Sequence, residues 1–485
     1  MLKELEKNLT ISQTDNGDIS YTSTLNDNLN FFGKAGSLRG DPEEAIALFL
    51  KAYNEDKDLA LRNLVHLRDI KGGYGERNLF REILYKLISY DDSNNDVYKV
   101  INAIPNIGRY DDIISLIPNP NKNAERVILS FIDWQLKSDT VNMHAERPIS
   151  LLAKWMPSIN TSSRETVDKA IFLAEYLFEG DKAKYRKTLS TLRNYLNILE
   201  VNLTNKDYTF DYNHVPGKAL TKYTQAFRRN DEERYLEFIE SLKEDNTKVR
   251  TKAEKLMPYE IVRLYNSDKE LADTLWDSLD KTSYNSNTII VRDGSGSMTC
   301  GLVNAPRPID IADALTIYMS ERINGEMNNK FITFSSEPEL VKLNSDMTLS
   351  QKVETLQSYN DISNTNIQKT YDILYETNKA LKPEERIDNV IVVSDMQFDW
   401  CVSDEEMSTF EYLKKKFEDA DIKLPKMVYW DVGVASAAFT TQDLEYVQYV
   451  SGFSKNIFEK IVNNIDINAY GLMVEKLSEY DYIFE

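Results

Sequence analysis

The hydrophobic period of this chain changes near residue 281, and that change limits the folds open to it. Before it, apolar residues recur every three or four positions in AERVILSFIDWQLK, SRETVDKAIFLAEYLFE, KTLSTLRNYLNILEVNL and DEERYLEFIESLK, the spacing of helices that bury one face. After the polar, turn-like DKTSYNSN, apolar runs of strand length (NTIIVR, KFITF, DNVIVVSD, KMVYWDV, YVQYVSGFS) alternate with helix-like segments. Such alternation predicts a mostly parallel sheet with helices on both faces. The chain therefore reads as multi-domain: an all-α helical-repeat domain over 28–282, then an α/β, Rossmann-like domain over 284–485. Residues 1–27, rich in Asn, Asp, Ser and Thr, are expected to be loosely ordered. No fixed sequence period links the helical stretches, yet the pattern is that of helical hairpins stacked side by side, an irregular HEAT-like solenoid.

Local signals sharpen the helical part. In RGDPEEAIALFLKAY, Asp41 is placed to cap a helix whose first position is Pro42 and whose first turn carries Glu43 and Glu44. Ile46, Phe49, Leu50 and Tyr53 would form its buried stripe. In LRDIKGGYGERNLFREILYKLI, Gly72 and Gly73 are expected to end one helix through a left-handed residue, and Leu79, Phe80, Ile83, Leu84 and Leu87 to face inward on the next. The glycine turn lacks the G-x-x-x-x-G-K-[ST] pattern of a phosphate loop.

Composition excludes some classes of function. The two cysteines, Cys300 and Cys401, cannot build a disulfide framework or a zinc finger, and both are expected to be buried, unpaired thiols. No apolar run approaches the roughly 20 residues of a membrane helix, and MLKELEKNLT carries no secretory pattern, so a reducing, cytoplasmic setting without membrane contact is expected. The net charge is −20, yet residues 181–230 hold ten Lys and Arg against four acids. Within that window Lys184, Arg186, Lys187, Arg193, Lys222, Arg228 and Arg229 are candidates for RNA phosphates, with Tyr185, Tyr223 and Phe227 beside them. A solvated helix face is the alternative.

In IIVRDGSGSMT, residues 289–299, a strand ends on Asp293 and runs into Ser295 and Ser297 separated by glycine. Three hard oxygen donors on one tight loop can face a divalent cation directly or through water. A nucleophile elbow is disfavoured, because neither serine has glycine at both −2 and +2. The three histidines, His66, His144 and His214, all precede the loop and read as packing or surface residues.

The loop resembles the D-x-S-x-S loop of von Willebrand factor A domains. That resemblance implies a metal-ion-dependent adhesion site for Mg²⁺ or another divalent cation, completed by Thr365 from a second loop and Asp395 from a third. Ser363, Asn364 and Asn366 are alternatives to Thr365. It also implies that the last metal position captures an acidic group from a ligand. LRDIKGGYGERNLF, NIGRYDDII, LLAKWMPS, YRKTLSTLRNYLNILE, VPGKALTKYTQAFRRNDEERY, VVSDMQFD and VSGFS, in that order, resemble a family of largely unknown function from eukaryotes and viruses that joins a helical region to a C-terminal von Willebrand A-like domain. The layout is similar to that of the Ro ribonucleoproteins, whose helical ring binds small structured and misfolded RNAs. The resemblance implies a non-enzymatic, Mg²⁺-dependent scaffold whose helical part holds structured or single-stranded RNA. The alternatives are a protein-assembly factor, viral in origin, whose metal takes a partner's carboxylate, and a metal-assisted phosphate hydrolase using Asp293 and Asp395.

Overall fold

The computed structural model describes residues 10–13, 19–90, 95–244, 249, 252–254, 256–302, 306–335, 337–360, 367–397, 409–434, 439–441, 444–463 and 468–485. The chain forms two compact units. The first comprises residues 1–67, 71–74 and 216–479, and the second residues 68–70, 75–215 and 480–485. The helices of 28–282 are thus shared between both units, the middle of that stretch forming most of the second. Charge is shared unevenly as well. The second unit holds 19 Lys and Arg against 22 Asp and Glu, net −3, which leaves 58−19=39 against 78−22=56, net −17, for the first.

In the first unit, β1 (Ile11–Gln13) and β2 (Ile19–Tyr21) pair antiparallel. Tyr21 continues into a bridge with Phe439, so part of the segment expected to be loose is tied into the fold. The main sheet contains β3 (Thr288–Asp293), β4 (Lys330–Phe334), β5 (Leu340–Lys342), β6 (Asn389–Ser394), β7 (Lys426–Asp431) and β8 (Val447–Ser451), in the order β5-β4-β3-β6-β7-β8. All neighbours are parallel except β5, which runs antiparallel at the edge. Every residue of β3, β6 and β8 is buried, the pattern of parallel strands covered on both faces. From β3 the chain goes first to β4 on one side and later to β6 on the other. The strand order therefore reverses between β3 and β6, and open α/β sheets hold ligands above the carboxyl ends of their strands at such a reversal.

The helix Pro42–Glu55 starts as its sequence indicates: the Asp41 side chain accepts from the Glu44 N–H at 3.1 Å, with Pro42 at the first position. Its buried face is turned from the expected one. Ala45, Leu48, Phe49, Ala52 and Tyr53 are buried, while Leu50 is exposed, because Leu48 and two alanines complete a stripe that Ile46 and Leu50 only flank. In the glycine turn the left-handed residue is Gly75, at φ 73°, rather than Gly72 or Gly73.

The second unit contains the helices Asn78–Tyr90, Asn95–Ile107, Tyr110–Ser115, Lys122–His144, Leu152–Trp155, Arg164–Phe178, Lys182–Tyr195, Leu199–Thr204 and Asp481–Phe484. Several start on side-chain caps, with Asn121, Ser163 and Asp181 accepting backbone N–H groups of their first turns. Leu79, Phe80, Ile83, Leu84 and Leu87 are all buried as expected, and so are Val100, Ile104, Ile128, Ile132, Leu173 and Leu189 of the other helices of this unit. No helix among the described residues of either unit is long and apolar enough to cross a membrane.

Candidate functional site

Strand β3 delivers Asp293 to the carboxyl end of the sheet, where its side chain is buried. One carboxylate oxygen accepts the Ser295 N–H at 2.9 Å, and the other accepts the hydroxyl of Ser394, at the end of neighbouring β6, at 2.6 Å. The loop turns tightly enough to bring the Ser295 and Ser297 hydroxyls within 3.0 Å of each other. Gly294 permits this: a Cβ there would lie 2.6 Å from a guanidinium nitrogen of Arg292 and 3.0 Å from the Tyr359 carbonyl. Arg292 is itself fully buried, paired with Asp313 at 2.6 Å and donating to the Asn360 side chain. A buried ion pair of this kind holds its groups in place more than it adds net stability.

Two further acids end neighbouring strands. Asp395 follows β6 directly, and Asp431 is the last residue of β7. They are close, since a Cβ on Gly433 would lie 3.0 Å from an Asp431 carboxylate oxygen and 3.3 Å from the Asp395 Cβ. Burial first, and then the charge of Asp395, raise the proton affinity of Asp293. Burial likewise pushes Asp431 up to about 6; hydrogen bonds from Ser37 and the Gly433 N–H oppose the shift, the Asp395 charge adds to it, and Arg39 opposes it. Arg39 lies with its guanidinium 4.7 Å from the Phe453 ring. The carboxyl edge of the sheet is therefore a place where negative charge is crowded and desolvated.

Asp293, Ser295, Ser297 and Asp395 thus stand at the ends of adjacent strands. Thr365 and its alternatives Ser363, Asn364 and Asn366 lie outside the described residues, as does Cys401. Cys300 is described, and contrary to expectation it is exposed, in extended conformation directly after the 3-10 turn Ser297–Thr299. Among the described residues no three His, Cys, Asp or Glu side chains are grouped to hold a metal ion. Ser394 and Asp431 were not picked out from the sequence. Asp431 had a visible signal, an acid closing KMVYWD just as Asp293 closes TIIVRD.

The seven cations of the basic window divide between the units. Lys184, Arg186, Lys187 and Arg193 lie on the helix Lys182–Tyr195 of the second unit, and Lys222, Arg228 and Arg229 on Gly217–Asn230 of the first. Arg193 donates from three nitrogens to the Ala153 carbonyl, the Ser158 hydroxyl and the Met156 carbonyl, at 2.8, 2.9 and 2.6 Å. Arg228 forms a two-point pair with Asp268 at 2.7 and 2.8 Å. Tyr185 is buried and donates to the Pro157 carbonyl, and Phe227 is buried too, so neither ring is open for base stacking. Lys184, Arg186, Lys187, Lys222 and Arg229 remain exposed. Arg186 and Lys187 line a cleft of about 590 Å³ whose other walls include Asn160, Ser190 and Asn194.

The histidines behave as packing or surface groups. His66 is fully buried, stacked on Phe32 at 5.3 Å and edge-on to Tyr74 at 4.5 Å, and burial holds it neutral. His144 is exposed, and so is His214, which lies 3.2 Å from Asp211.

Comparison with known proteins divides the chain near residue 287, close to where the hydrophobic period changes, and not between the compact units. Residues 287–479 match the model of a domain of unknown function (DUF7788), and residues 128–288 that of a second (DUF2828). Uncharacterized protein L728 of Acanthamoeba polyphaga mimivirus is 29% identical over 519 aligned positions, covering 97% of this chain and 88% of that protein. Among solved structures, the Ro (RSR) protein of Deinococcus radiodurans superposes with a TM-score of 0.50 at 13% identity, over 88% of this chain and 92% of its own. The architecture is thus Ro-like along most of the chain.

Proposed function

We propose that this protein is a Ro-like, non-enzymatic scaffold that binds RNA through its helical unit. The observation that carries the reading is the cleft of about 590 Å³ in the second unit, with Arg186 and Lys187 on its wall and neutral hydrogen-bonding groups from Asn160, Ser190 and Asn194 beside them. Cations next to amides and hydroxyls suit a phosphate backbone with unpaired bases. Lys184 sits on the same helix. The near-neutral charge of this unit supports the reading, since the strongly acidic first unit would repel a polyanion. The test is the 260/280 nm absorbance ratio of the purified protein before and after a high-salt wash. A ratio that begins high and falls on washing supports bound nucleic acid; a protein-like ratio throughout, together with no uptake of added RNA, rejects it.

In this reading the α/β domain holds Mg²⁺ or a similar hard cation. The residues fit such a group: the Ser295 and Ser297 hydroxyls are adjacent, and Asp293 is a carboxyl whose proton affinity is raised by burial and then by its acidic neighbour Asp395. Thr365 is proposed as a further ligand on the resemblance alone. When bound, the cation supplies a Lewis-acid position for a carboxylate of a partner. Asp293 and Asp395 orient and charge-balance that position, and Ser394 keeps Asp293 in register. The crowded acids of the first unit also favour a second reading, a protein-assembly factor that uses the same metal and never meets nucleic acid. A cytoplasmic setting accompanies both readings.

A further inference from the structure

Three stretches of the second unit that this function leaves unused meet around one carboxylate. Asp112 is completely buried. One of its oxygens accepts from Arg68 Nε at 2.7 Å and from the Arg109 N–H at 2.9 Å, and the other accepts from Arg81 Nε at 2.6 Å. Arg81 also pairs with Asp111. The packing is close enough to require a glycine beneath it: a Cβ on Gly108 would lie 2.6 Å from the Asp112 carboxylate and 2.9 Å from Arg68 Nε. Arg68 and Arg81 are thereby neutralised and fixed.

Three more cations around this hub are not neutralised. Arg77 precedes Arg81 by one helical turn, and the Arg81 N–H donates to its carbonyl, so the two side chains leave the same face. Arg109 lies with its guanidinium 5.1 Å from the Trp155 ring. Lys169 is half-buried within electrostatic reach of Arg81. No carboxylate lies within ion-pair distance of Arg77, Arg109 or Lys169 among the described residues. Arg77 meets solvent, yet its surroundings desolvate it in part, and the charges of Arg81 and Arg109 further disfavour its protonated form, with Asp111 and Asp112 offsetting only some of this. Asp111 and Asp112 pair with Arg68 and Arg81, which leaves Arg77, Arg109 and Lys169 as the cations around the hub without an ion-pair partner among the described residues. Crowded, partly desolvated like charges are unfavourable until an anion enters.

We propose that Arg77, Arg109 and Lys169 form an anion site for a phosphate monoester, with Asp112 as the buried hub that positions Arg81 and the Arg109 backbone around it. Three cations without carboxylate partners suit a phosphate dianion better than a singly charged phosphodiester. The site is separate from the Arg186–Lys187 cleft and stands on its own charges, so it does not depend on the RNA reading. Such a phosphate would come either from a free nucleotide or from a phosphorylated RNA end.

The test uses the full chain at low ionic strength, titrated calorimetrically with inorganic phosphate and with AMP. The Arg77→Gln/Arg109→Gln double variant and a separate Lys169→Gln variant are compared with wild type; Arg68 and Arg81 stay intact because they hold the fold. The expected result is that wild type binds both ligands and that each variant weakens binding, the double one at least tenfold, with unchanged unfolding midpoints. Absence of phosphate and AMP binding by wild type, or equal affinity in all three proteins, overturns the site. RNA oligonucleotides of one sequence with 5′-phosphate or 5′-hydroxyl ends then separate the sources. A 5′-phosphate preference lost in the double variant assigns the site to an RNA end, and no preference alongside intact AMP binding assigns it to a free nucleotide. If wild type takes up no RNA yet binds AMP, the RNA reading fails and the phosphate site stands.

Discussion

Ser394 donates its hydroxyl to the buried carboxylate of Asp293 at 2.6 Å, linking the ends of β3 and β6 where the strand order reverses. The same hydroxyl accepts the Met396 N–H at 2.9 Å, so one side chain sets both the first acid and the course of the chain past Asp395. Replacing Ser394 with alanine should leave a buried carboxylate short of a donor. The expected loss is about 1–3 kcal/mol, read from the denaturant midpoint. A change within error would mean that the hydroxyl does not support Asp293.

Asp293→Ala should abolish Mg²⁺ binding in a calorimetric titration while the helical signal in circular dichroism stays at the wild-type level. Ser297→Ala, at an exposed position of the same loop, should weaken binding with little effect on stability. Equal Mg²⁺ affinity in wild type and Asp293→Ala would remove the metal from the account.

The two buried acids give the metal-free protein a defined pH dependence. Asp431 is raised from an ordinary value of 3.8 to about 6, so between those values the folded state holds a proton that the unfolded state has released. Its contribution is fully present below pH 3.8 and is lost as pH rises through about 6, on the order of 2–3 kcal/mol. Asp293 shifts in the same direction. Mg²⁺ should oppose the part of this loss that comes from Asp293, because it competes with the proton for that carboxylate, and its affinity should rise with pH. Unfolding midpoints at pH 5 and pH 7.5, with and without Mg²⁺, check both signs; a wild type that gains as much stability over this range as Asp431→Asn would contradict them.

Gly108→Ala tests the packing around Asp112. The added Cβ would stand 2.6 Å from the Asp112 carboxylate and 3.0 Å from Arg68 Cζ, and neither group can move without breaking a buried ion pair. A destabilisation of about 2–4 kcal/mol is expected, measured by denaturant unfolding. A neutral effect would show that the hub is loosely held.

Particular residues show how much could be read in advance. Asp41 with Pro42, the stripe from Leu79 to Leu87 and the strand ending on Asp293 all depend on neighbours close in sequence, and all three took the expected form. Arg193 and Arg228 did not behave as members of an open basic face, because their acceptors at Ala153, Met156, Ser158 and Asp268 lie 35 to 40 positions away and a charge count cannot see them. The Arg77–Arg109–Trp155 grouping escaped notice for the same reason, although each of its stretches stood out singly. The boundary near 282 followed the change of hydrophobic period, whereas the compact units follow tertiary contacts that bring residues 216–282 to the strands.

The central claim is that the helical unit binds RNA through the Arg186–Lys187 cleft, and fluorescence anisotropy of a labelled single-stranded RNA across a salt series tests it most directly. Wild type should bind at low ionic strength with affinity falling steeply as salt rises. The Lys184→Gln/Arg186→Gln/Lys187→Gln variant should bind more weakly, its log–log salt slope reduced in magnitude by about 2 for three lost phosphate contacts, and Asp293→Ala should bind as wild type does. Salt-independent binding, or a triple variant indistinguishable from wild type, would contradict the account and leave the metal-dependent protein scaffold in its place.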